Sequence, residues 1–124
     1  MSSGRASVLV VDDLPAFRRT LHDVVVACER FDLVGEASSG EEAIAVVERR
    51  PVDLVLMDVK MPGIGGIAAA DHLMRRHPDV LVVLLSVHPA HALPTELMSC
   101  GAEFCDKEHF GPDVLDELWR NRCQ

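Results

Sequence analysis

The chain has 124 residues, a formal net charge of −8 and 48% hydrophobic residues, enough for one compact domain whose core needs neither a disulfide nor a structural metal. With four Phe, one Trp and no Tyr, that core must be aliphatic. The acidic balance excludes a protein whose main work is gripping nucleic acid or anionic lipid, and no apolar run approaches the ~20 residues of a membrane span.

Apolar strand-like runs alternate with helical patterns along the whole chain, the mark of a parallel sheet flanked by helices, and five βα units fit. The opening Met1-Ser2-Ser3-Gly4-Arg5 lacks a secretory signal; residues 1–6 read as disordered and the expected location is cytoplasmic. A first strand is predicted at Ser7 to Val11. After a turn, Leu14, Phe17, Leu21, Val24, Val25 and Cys28 form an apolar stripe at helical spacing, with Pro15 in the first turn. The second strand, Phe31 to Ala37, carries Asp32 and Glu36, which suits a sheet edge. Ser39 followed by Glu42 reads as a capping box for a helix that Pro51 closes.

Val52 to Met57 is the third predicted strand, and a Gly-rich turn leads into a helix with Ile67, Ala70, Leu73 and Met74 on its apolar face, ended by Pro78. Val80 to Leu85, aliphatic throughout, reads as a fourth strand covered on both faces. Pro94 restricts the next helix to about two turns before Gly101, leaving Val87 to Ala92 as a loop. A short fifth strand at Glu103 to Cys105 and a final helix from Pro112 to Arg120 complete the set. The basic pairs Arg18-Arg19, Arg49-Arg50 and Arg75-Arg76 are scattered and read as solvated helix faces. Cys28, Cys100, Cys105 and Cys123 have no CxxC spacing and read as reduced thiols.

In an open parallel sheet, ligands and chemistry collect at the carboxyl ends of the strands. There the sequence puts Asp12 and Asp13 after strand one, Asp58 after strand three, Ser86 after strand four and Lys107 beyond strand five. Carboxylates held close repel one another, and a hard divalent cation with oxygen ligands, such as Mg²⁺, relieves that repulsion. Cation, lysine and hydroxyl together make a site for a phosphoryl group. Each residue also has an ordinary reading. Asp12 and Asp13 would cap the first helix, Asp58 would form a turn, Ser86 would bond to backbone at a strand end, and Lys107 would be solvated.

Val11-Asp12-Asp13, Leu56-Met57-Asp58-Val59-Lys60-Met61-Pro62-Gly63, Ser86 and Lys107, in this order at the ends of successive strands, resemble the receiver domain of bacterial two-component response regulators. The resemblance spans Ser7 to Trp119. It implies a flavodoxin-like, doubly wound (βα)5 sandwich with a five-stranded parallel sheet in the order 2-1-3-4-5. It also implies that Asp58 is the phosphoacceptor, attacking a phosphohistidine on a sensor histidine kinase or phosphotransfer protein. Asp13, Asp58 and the backbone carbonyl of Lys60 would bind Mg²⁺ directly and Asp12 through water. Ser86 and Lys107 would contact the phosphoryl oxygens, and Phe104 would be an aromatic switch coupled to Ser86. The output surface would be the face of strand four, the following helix and strand five, for a partner the sequence does not name. Such a chain is no enzyme beyond its own phosphorylation and slow dephosphorylation, and neither binds nucleic acid directly nor inserts into membranes.

Leu33 to Ala43 resembles receivers that precede a helix-turn-helix domain, so a receiver cut from a DNA-binding transcriptional regulator is the alternative to a stand-alone receiver. The sequence, 1–124, reads as a single receiver domain with no output domain. Three positions depart from the family pattern. Val87 replaces a small residue and narrows the approach to the site, Glu108 stands where many receivers have Pro, and Gly65 stands where Asp is frequent. A flavin carrier is disfavoured because Asp12-Asp13 would repel its phosphate, and an aspartyl phosphohydrolase because the DxD pattern is missing. A zinc site from His88, His91, Cys100, Cys105 and His109 matches no common spacing.

Overall fold

The computed structural model describes residues 5–87 and 102–122. The described elements are β1 (Ala6–Val11), α1 (Pro15–Val26), β2 (Phe31–Ala37), α2 (Gly40–Arg49), β3 (Leu54–Asp58), α3 (Gly65–Arg76), β4 (Leu81–Ser86), β5 (Glu103–Asp106), a 3-10 turn (Lys107–His109) and α4 (Pro112–Asn121). The five strands form one parallel sheet in the order β2-β1-β3-β4-β5, the order that the sequence resemblance implies.

Alternation along the strands builds two cores. Val8, Val10, Leu54, Leu56, Val83 and Leu85 point to one face and pack with Leu21 and Val25 of α1 and Leu115 of α4. Leu9, Val11, Val55, Met57, Val82 and Leu84 point to the other and pack with Ala43 and Val47 of α2 and Ala69, Ala70 and Leu73 of α3. Side chains two apart share a face of a strand, so an unbroken aliphatic run supplies both cores at once. β2 lies at an edge, and its exposed Asp32 and Glu36 pair with Arg5 at 2.9 Å and Arg18 at 3.3 Å.

Several boundaries differ from expectation, each for a local reason. β1 begins at Ala6, whose N–H donates to Arg30 O at 2.9 Å, so the disorder expected for 1–6 does not extend to Arg5 and Ala6; residues 1–4 lie outside the described residues. β3 begins at Leu54, because Asp53 is engaged as a clasp: its carboxylate accepts from Ser7 N and its own N–H donates to Ser7 O, both at 2.8 Å. Val80 is not in β4, since its N–H closes a turn onto His77 O at 3.0 Å. β3 and β4 instead run one residue further at their carboxyl ends, carrying Asp58 and Ser86 into the ladder.

Among the described residues no helix is long and apolar enough to cross a membrane. Cys28 and Cys105 are free thiols. The loop expected at Val87 to Ala92, beyond Val87 itself, and the two-turn helix expected after it fall outside the described residues, as do His88, His91 and Cys100 of the zinc reading.

Candidate functional site

The site is assembled where the chain leaves β1, β3, β4 and β5. Asp12, fully buried, is the first residue beyond β1; its N–H donates to Ala37 O at 3.1 Å. Its Oδ1 accepts from Leu14 N at 2.9 Å, an Asx-type turn that sends the chain into α1. The N-cap of α1 is Leu14 and no side chain caps that helix, so in place of the helix-capping reading one oxygen of Asp12 shapes the turn into α1. The other, Oδ2, accepts from Lys107 Nζ at 3.2 Å. Behind it, Arg18 Nη1 donates to the backbone carbonyl of Asp12 at 2.8 Å, so Arg18 belongs to the supports of the site and not to a solvated face.

Asp58, 6% exposed, ends β3. The chain then crosses to α3 through Gly63 and Gly65, both at positive φ, and Gly66 donates its N–H to Val59 O at 3.0 Å. A Cβ on Gly66 would stand 2.1 Å from Asp58 O. Glycine at 66 is thus what lets α3 start against the backbone of the central aspartate. Ser86, 5% exposed, ends β4. Lys107 opens the 3-10 turn after β5, and Asp106 Oδ1 accepts from Glu108 N at 2.9 Å. That bond gives Glu108 a role that a proline, lacking the N–H, could not fill. All described peptide bonds are trans.

Lys107 Nζ lies 3.2 Å from both Asp12 Oδ2 and Asp58 Oδ1, on a side chain only 7% exposed, and 4.0 Å from the centroid of the Phe17 ring. Oxygens of Asp12, Asp13 and Asp58 all lie within 4.8 Å of one another; among the described residues no other such His, Cys, Asp or Glu group is found. Burial pushes the Asp58 carboxyl above its ordinary range, against the pull of the Lys107 ammonium and with a further push from Asp12; a hydrogen bond from the Lys60 backbone also favours the carboxylate. The Lys107 ammonium pairs with two of these three clustered carboxylates, which leaves a surplus of negative charge. The cleft in front of them holds about 260 Å³ and is lined by Asp13, Leu14, Asp58, Lys60, Ser86, Val87 and Lys107.

Asp12, Asp13, Asp58, Lys60, Ser86 and Lys107 are thus brought to one rim, as expected. Val87, 57% exposed, stands at its mouth. Phe104 is half-buried on β5 opposite Leu84, against the core on the α2 and α3 face. Three contributors were not foreseen. Phe17 read only as a member of the apolar stripe and Arg18 as half of a basic pair. Gly66 reads as one more glycine of a Gly-rich turn, although a glycine inside a helical pattern is itself a signal of close approach.

The family model for the response regulator receiver domain matches residues 8–118. Response regulator GacA of Pseudomonas viridiflava is 43% identical over 95 residues, and UvrY of Escherichia coli K12 is 40% identical over 96 residues. Each match covers 77% of this chain and 44% of the relative, so the chain spans less than half the length of the curated relatives it matches. Among solved structures, the signal receiver domain of NarL from Mycobacterium tuberculosis superposes with a TM-score of 0.85 at 25% identity, covering 95% of this chain and 98% of that one. The response regulator domain of Thermotoga maritima CheB does so with a TM-score of 0.81 at 28% identity, covering 94% and 95%. An Asp-Asp-Asp-Lys rim, with Asp12 and Asp58 buried, on a 2-1-3-4-5 sheet and a family match along nearly the whole chain lead to one conclusion: this chain belongs to the receiver domain family of two-component response regulators.

Proposed function

We propose that this receiver takes a phosphoryl group from a histidine kinase or phosphotransfer protein onto Asp58, with Mg²⁺, in the cytoplasm. The observation that carries the proposal is the Lys107 ammonium held 3.2 Å from each of two buried carboxylates beside an open cleft. A three-carboxylate set with surplus charge fits a hard divalent cation. Asp13, Asp58 and the Lys60 backbone carbonyl would hold Mg²⁺ with Asp12 behind them, and the ion when bound draws charge from the phosphoryl oxygens.

An Asp58 carboxylate oxygen attacks phosphorus in line with the leaving nitrogen. The new O–P bond forms as the P–N bond to the donor histidine breaks, and the imidazole leaves with the electron pair and takes a proton from solvent. Lys107 exchanges Asp58 for a phosphoryl oxygen, and the Ser86 hydroxyl donates to another. The chain's part is positioning and electrostatics, so it turns over nothing but its own acyl phosphate. About two negative charges arrive at the rim, and Ser86 and Phe104 relay the change to the β4 and β5 side of the sheet, where an output partner binds. A second reading, the receiver part of a DNA-binding regulator, is favoured by the Leu33–Ala43 segment and by the 44% span of the relatives.

The test is phosphorylation of the chain by acetyl phosphate and by a panel of sensor kinases, read by intact-protein mass. The native chain should gain one base-labile, Mg²⁺-dependent phosphoryl group and Asp58→Asn none. A base-labile group on Asp58→Asn would place the acceptor elsewhere.

A further inference from the structure

We propose that Phe17 is a positioning residue for Lys107, holding its ammonium in the phosphoryl pocket through the exchange of Asp58 for the phosphoryl oxygen. This rests on the phosphoacceptor reading. The ring centroid of Phe17 lies 4.0 Å from Lys107 Nζ, while the same ammonium reaches Asp12 and Asp58 at 3.2 Å each. An ammonium has three N–H bonds, and two are turned to carboxylates. The ring covers another face of a group almost removed from water, where attraction between a cation and an aromatic face is strongest.

The chemistry of the remaining face matters. A carboxylate or carbonyl there would bind the ammonium along one direction and compete with the incoming phosphoryl oxygen. An aromatic face attracts it without a localised lone pair. Lys107 can then pivot from Asp58 Oδ1 to a phosphoryl oxygen while the ring contact persists, so its position is prepared before the transition state forms. An aliphatic side chain fills the space but supplies no such attraction.

The ring is itself held in place. The next residue, Arg18, donates to the Asp12 backbone carbonyl at 2.8 Å and pairs with Glu36 at 3.3 Å. The first turns of α1 are therefore fastened to the aspartate that shares Lys107. Phe17 also packs with the core on the α1 and α4 face, so the experiment must separate packing from the ring's action on the cation.

The 124-residue chain, Phe17→Leu, Phe17→Met and Phe17→Tyr are compared, Met serving if Leu does not fold. Proton NMR reads the Lys107 ε-methylene, and acetyl phosphate with Mg²⁺ reads the phosphorylation rate. In the native chain the ε-methylene should be shifted upfield by the ring. The shift should vanish in the Leu or Met variant and persist in Tyr. Phosphorylation should slow about three- to tenfold in the aliphatic variant, as loss of a partly desolvated cation–π contact implies, and return to within about twofold in Phe17→Tyr. A folded aliphatic variant phosphorylated as fast as the native chain overturns the positioning role and leaves the phosphoacceptor reading standing. An unshifted ε-methylene in the native chain overturns the contact itself. A native chain that takes up no phosphoryl group from acetyl phosphate or from the kinase panel, with the shift present, overturns the phosphoacceptor reading and with it this role.

Discussion

Gly66 shows how tightly single atoms constrain the site. Its missing Cβ would meet Asp58 O at 2.1 Å and Val59 Cα at 2.9 Å. Both neighbours are backbone, and neither can swing aside. Replacing glycine by alanine within a helix ordinarily gains about 0.5–1 kcal/mol, but here the added methyl forces α3 away from β3. Overpacking of this kind costs about 1–3 kcal/mol and often outweighs the gain. Gly66→Ala should therefore be less stable in urea unfolding by about 1–2 kcal/mol and slower in phosphorylation, because Asp58 moves with its carbonyl. A variant as stable as the native chain would mean that α3 does not rest on β3 here.

At the scale of elements, α2 is closed by its cap and by its neighbour. Ser39 Oγ accepts from Glu42 N at 3.1 Å, as the capping box predicts. Its return bond is displaced by one residue: Glu42 Oε1 accepts from Ser38 N at 2.7 Å and from Ser38 Oγ at 3.1 Å. At the other end, Glu48 reaches across to Arg76 at 3.2 Å and His77 at 2.6 Å, tying α2 to the end of α3. Ser39→Ala should cost about 1 kcal/mol in chemical denaturation. The hydrogen bonds from Ser38, the backbone one first, hold the Glu42 carboxyl below its ordinary value of 4.5. A group whose folded value is depressed stabilises the fold above its unfolded value and loses that contribution as pH falls through the folded one. Glu42→Gln should accordingly flatten the stability curve below pH 4.5 and leave its shape near neutrality unchanged. An acid limb as steep in the variant as in the native chain would show that these bonds add nothing.

For the whole molecule, the prediction concerns linkage between folding and a cation. Asp12, Asp13 and Asp58 are brought within 4.8 Å only when β1 and β3 pair, so the unfolded chain holds no comparable site. Mg²⁺ at about ten times its dissociation constant should then add about 1.4 kcal/mol to stability. The thermal midpoint should rise with Mg²⁺, return on addition of a chelator, and respond much less in Asp13→Asn. Potassium chloride at equal ionic strength is the control, since general screening also relieves a net charge of −8. Equal responses to the two salts would remove the case for a specific metal site.

Among the described residues, the strands and helices, their order along the chain and the rim residues are legible in the chain itself, because the signals are local. An unbroken aliphatic run marks Val82 to Leu85 as a strand buried on both faces, Ser39 and Glu42 mark a helix start, and acidic or hydroxyl residues follow strand ends in succession. Boundaries at Val52, Val80 and Ala6 shifted because backbone partners such as Ser7 and His77 are chosen in three dimensions. The supports of the site stayed hidden for the same reason. Phe17 looks like any core residue until β5 delivers Lys107 over its ring, and Arg18 looks solvated until the turn after Asp12 aims a carbonyl at it. Periodicity along a chain reports which face of an element is apolar. It carries no information on which distant group will meet that face, and only the packing of α1 and β5 on the same sheet decided that.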